Sequence, residues 1–150
     1  MIIDQKMMFC EKAEAKTAIT SNVLDFVSDQ TSPYLNAHGM VLCILTPTAI
    51  AGTSITFKLQ ESADKSTYTD VMTTKALTAT DLKQPLLISL PPIHKRYLKL
   101  VSTPTSVTAG TITAFIGNDV QLGSPLRTQG IEFPAEAAAS SSYFSSCSFQ

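Results

Sequence analysis

The chain has 150 residues, of which 44% are hydrophobic and 15% charged, and its formal net charge is −1. That length suits one domain with a core of its own. That net charge gives no electrostatic footprint for DNA or RNA, since phosphate binding needs a clustered basic face. The longest apolar run, Met40 to Leu45, is far too short to span a bilayer as a helix.

The charged fraction is well under the usual share of about 25%. Serine and threonine fill the gap. Such a surface hydrogen-bonds yet carries few charges that must be desolvated on docking, which suits wide contacts with neighbours. The N-terminal stretch MIIDQKMMFC lacks the long apolar segment and small-residue cleavage site of a signal peptide. No Asn-x-Ser/Thr sequon occurs.

In chain order, strand signals dominate. Ile2-Ile3 and Met7 to Phe9 read as short edge pieces, and Asn22 to Val27 as a strand. Met40 to Leu45 is continuous and apolar, as expected of a strand buried on both faces. From Ser54 to Gln60 the period is two: Ile55, Phe57 and Leu59 share one face, and Thr56, Lys58 and Gln60 the other. Further strands are expected at Tyr68 to Met72, Leu86 to Leu90, Tyr97 to Ser102 and Gly110 to Ile116. Turn chemistry separates them: Ala51-Gly52-Thr53, Ala63 to Ser66, Pro91-Pro92, and a loop opened by Pro104 and closed by Gly110. Helix is scarce. Glu11 to Lys16 and Glu136 to Ala139 would each make one turn at most. About eight strands without long helices between them predict an all-β sandwich, jelly roll or barrel.

After Asp119 the alternation stops. The remaining segment contains Gly123, Pro125, Gly130 and Pro134, then an alanine run and the ending SSSYFSSCSFQ. Disordered tails are usually poor in aromatics, yet this one carries Ile131, Phe133, Tyr143, Phe144 and Phe149. We expect a domain over residues 1–119 and a C-terminal segment over 120–150 that is either a disordered terminus or, with slightly more weight, an arm that orders on a neighbouring subunit, and we take those five apolar residues as a candidate interface. Deleting the arm is expected to leave the fold intact and weaken assembly.

No motif for chemistry stands out. There is no Gly-x-Ser-x-Gly elbow, P-loop or GxGxxG. His38 and His94 lie in polar loops without ligand-spaced neighbours and read as solvent-facing. Cys10, Cys43 and Cys147 form no metal pattern and read as free thiols, with Cys43 buried in a strand. No cofactor or metal is expected. The carboxylates Asp25, Asp29, Glu61, Asp64, Asp70 and Asp81 are scattered around strand ends. Lys95, Arg96 and Lys99 form the one basic cluster. It reads either as a salt-bridging patch for an acidic partner, which adds these three residues to the candidate interface, or, with more weight, as a charged rim that keeps a sheet edge soluble.

The segments MIIDQKMMF, SNVLDF, ITFKLQESADKSTYTDV, PLLISLPPIHKRYLKL and AGTITAFIGNDVQ together resemble the capsid cement, or decoration, proteins of tailed phages, of the type in the short-tailed Bordetella phage. The resemblance covers roughly residues 1 to 121. It implies a jelly-roll β-sandwich of about eight strands. It also implies a non-enzymatic virion protein, made in the host bacterial cytoplasm, that forms homotrimers at threefold and quasi-threefold lattice positions and ties major capsid protein subunits together. No direct contact with nucleic acid or membrane is implied. Two other readings stay open: a carbohydrate-binding jelly-roll module of a tail or secreted enzyme, and a β-sandwich hydrolase using the scattered carboxylates. Against the sugar reading, there is no Trp and the tyrosines are dispersed.

Overall fold

The computed structural model describes residues 4–31, 40–91, 93–118 and 131–132. Its strands are β1 (Met8–Glu14), β2 (Ile19–Thr20), β3 (Leu24–Asp25), β4 (Met40–Ser62), β5 (Thr69–Thr74), β6 (Leu77–Thr78), β7 (Leu86–Ser89), β8 (Tyr97–Asn118) and β9 (Ile131–Glu132). Two single turns of 3-10 helix, Gln5–Met7 and Asp81–Lys83, are the helical elements among the described residues.

Two long strands organise everything else. β4 and β8 run antiparallel from Met40 opposite Asn118 to Ser62 opposite Tyr97. Toward one end they are flanked by β7 on β4 and β1 on β8. Toward the other end β5 and β6 pair with β4, and β2 and β3 pair with β8. β9 continues the second array by pairing with β5 at Thr73 and Thr74. Between these arrays, over roughly residues 45–53 and 103–110, the two long strands have ladder partners only in each other. Three register shifts between Leu45 and Gly52 bend the pair there.

The bend brings the two arrays face to face as an all-β sandwich around one core. Leu42, Ile44, Ile112, Ala114 and Ile116 come from the first array; Ile55, Phe57, Leu59, Leu98 and Leu100 come from the second. Alternation puts these side chains on one face of each array. Each large apolar side chain removed from water contributes roughly 1.5–3 kcal/mol. Within the core, the hydroxyl of Thr74 accepts the Phe57 N–H at 3.0 Å, so a polar pair is buried satisfied. On the opposite face of the first array, Met8, Phe115, Cys43 and Leu87 form one row across four strands. Cys43, Phe115 and Leu87 are buried and make a second, smaller apolar cluster. Burial pushes the Cys43 thiol up to about 11, so it is protonated at neutral pH. Cys10 and Cys43 are both free thiols, as expected; Cys147 lies outside the described residues.

At the bend, backbone approaches backbone. Gly52 has φ +141°, and a Cβ there would lie 2.4 Å from the Ser106 carbonyl oxygen. Gly110 has φ +121°, and its Cβ would meet Ile50. Only glycine fits both demands.

Several local expectations need correction. Ala51-Gly52-Thr53 is no turn between strands, and Pro104 to Gly110 no loop: both lie inside β4 and β8. Bulges and prolines in a two-stranded ribbon carry the same residues as turns, and each strand persists because the other supplies its hydrogen bonds. Glu11 to Lys16 is not a helical turn; β1 runs through Glu14, its extra residues absorbed by bulges against β8. The strand expected over Asn22 to Val27 is confined to Leu24–Asp25. Ile131–Glu132 pairs as an edge strand where no alternation predicted one. Ile2-Ile3 and Glu136 to Ala139 lie outside the described residues.

Candidate functional site

At the far end of the second array, the connections around β3, β4, β5 and β8 gather charged side chains from distant parts of the chain. Arg96 lies just before β8 and Asp25 ends β3. The Arg96 Nε–H donates to Asp25 Oδ1 at 2.7 Å and its Nη2–H to Oδ2 at 2.9 Å. This fork is the geometry a guanidinium and a carboxylate match best. It holds the Asp25 carboxyl down from 3.8 to about 2. The Arg96 backbone N–H donates to Asp29 at 2.8 Å, and the Lys95 N–H donates to Glu61 at 2.9 Å. Asp64, in the β4–β5 turn, accepts from the Ser66 and Thr67 N–H groups and from the Ser62 hydroxyl. Those bonds, led by the one from Thr67, hold its carboxyl well below the usual carboxylate range.

The cations also cover aromatic faces. Lys99 sits 3.8 Å from the centroid of Tyr68, and Arg96 sits 4.9 Å from that of Tyr97, with Lys65 at 6.0 Å. Asp25 thus pairs with the Arg96 side chain, while Asp29 and Glu61 hold the backbone N–H groups of Arg96 and Lys95. Arg96 is engaged by its own chain, and its side-chain pair is partly exposed and therefore worth little to stability.

His94 corrects another expectation. It is 4% exposed, not solvent-facing. Its ring meets Phe26 edge-on at 4.7 Å, and Nδ1 lies 2.7 Å from the Lys95 carbonyl oxygen. A carbonyl can only accept, so the proton sits on Nδ1. The backbones of Gln30 and His94 exchange two hydrogen bonds, at 2.8 and 3.0 Å. A shallow cleft of about 110 Å³ opens beside them, lined by Asp29, Gln30, Thr31, Glu61, Ile93, His94 and Lys95. A second, of about 250 Å³, lies between Glu61, Asp64 and Lys95. Among the described residues no group of three His, Cys, Asp or Glu converges to hold an ion.

The loop from Asp25 to Gln30 is clamped at both ends. Asp25 Oδ1 accepts the Val27 N–H at 2.8 Å. The Gln30 side-chain amide donates to the Ser28 carbonyl at 2.9 Å, and the Phe26 N–H donates to the Arg96 carbonyl at 2.9 Å. Val27, at the apex, has φ +72°. A β-branched residue is strained in that region, at a cost of roughly 1–3 kcal/mol. Its side chain is nonetheless 76% exposed. Ile93, beside the first cleft, is 56% exposed. Among the described residues these are the two large hydrophobics left in water.

Of the candidate interface residues, Lys95, Arg96 and Lys99 come together here. Ile131 is in β9 on the edge of the second array. Phe133, Tyr143, Phe144 and Phe149, like His38, lie outside the described residues. Val27 and Ile93 were not singled out from sequence. An Asp25-x-Val27 step, with a carboxylate two residues before an N–H, was the available signal for a side-chain-capped turn.

No curated protein matches this sequence. The Bbp16 family, named for a Bordetella phage protein, matches residues 11–116, which run from β1 through nearly all of β8 and take in both arrays and the clamped loop. With that span well over half its length, the chain belongs to the Bbp16 family of phage proteins.

Proposed function

We propose that this protein is a non-enzymatic virion component that cements the capsid, binding assembled major capsid protein as a homotrimer at threefold and quasi-threefold positions. Membership of a phage protein family carries the reading. The surface supports it: no charged residue occurs from Met40 to Phe57 or from Leu100 to Asn118, so the bent stretch of the ribbon is neutral and docks without desolvating ions. Along it, Thr48, Ala49, Ala51, Thr53, Thr105 and Thr108 are exposed. A shell offers many neighbouring sites, so modest contacts add through effective concentration. Binding the assembled shell and not free subunits stabilises the shell by mass action.

The sugar-binding alternative draws no support from this site. Sugars stack on open aromatic faces, whereas Tyr68 and Tyr97 each have a cation lying over the ring. Quantitative mass spectrometry of purified particles tests the proposal. It expects a copy number approaching one per major capsid protein. A handful of copies would move the protein to the tail or portal vertex, and absence from particles would defeat the reading.

A further inference from the structure

We draw no further inference here: the strongest candidate, the apolar outer face of the first array where Met8, Phe115, Cys43 and Leu87 form one row, carries nothing, because nothing in the structure shows what covers it.

Discussion

The bend and the charged end are two parts of the same pair of strands, and they are held by different means. At the bend, between residues 45–53 and 103–110, there is no charged side chain, and shape follows from bulges and from two glycines against backbone. At the end near Tyr97, backbone ladders give way to side chains: Arg96 with Asp25, Asp29 and Glu61 on backbone N–H groups, Asp64 in its turn. One region is set by what cannot fit, the other by what is bonded. Steric exclusion ignores pH and salt, while bonded carboxylates respond to both.

The largest expected effect is therefore at the bend. Gly52→Val would place a Cβ 2.4 Å from the Ser106 carbonyl oxygen at φ +141°. Loss of stability on the order of 3 kcal/mol or more is expected in urea unfolding, and equally at low and high salt. Near-wild-type stability would show that the ribbon relaxes and that the contrast is overstated. Next comes His94→Ala, at the other end. It removes the edge-on contact with Phe26 and leaves the Lys95 carbonyl without its ring partner. A cost of about 1–3 kcal/mol is expected by the same measurement. A cost as large as at Gly52 would mean that the end too is set by packing.

The smallest effect is the one that separates the regions by chemistry. Asp25 titrates near 2 when folded against 3.8 ordinarily, so the folded state binds its proton less readily than the unfolded one. Its contribution is complete above about pH 4 and is lost as the pH falls through about 2. Asp25→Asn should lower stability slightly at neutral pH and flatten the acid limb of the stability profile. High salt should shrink the difference, because the Arg96–Asp25 pair is exposed. An acid limb unchanged by the substitution would show that other carboxylates govern it.

Much of the core was legible in advance. Ile55, Phe57 and Leu59, Leu98 and Leu100, and Ile112, Ala114 and Ile116 all face inward as their period of two demanded. Cys43, on the opposite face, is buried as the continuous apolar run Met40 to Leu45 implied. Continuity was not legible, because Gly52, Pro104 and Gly110 mark a turn and a bulged ribbon alike; only the pairing partner distinguishes them. At the candidate site the basic cluster was visible as neighbours in sequence. Its counter-charges were not, since Asp25 and Arg96 are 71 residues apart and Glu61 and Lys95 are 34 apart. His94 reads as a loop residue, and its burial depends on Phe26 arriving from another strand. Val27 was hidden by its own hydrophobicity, which made it look like the end of a strand.

Because β4 and β8 belong to both layers, neither layer has a life of its own. Residues 40–62 must find residues 97–118 before either half of the sandwich exists, so folding waits on a search between distant segments and is expected to be slow. The reverse journey carries the same toll. Opening one layer frays the strands that hold the other, which favours a single cooperative transition with few partly open forms. Slow and all-or-none departure from the native state is durability measured in time.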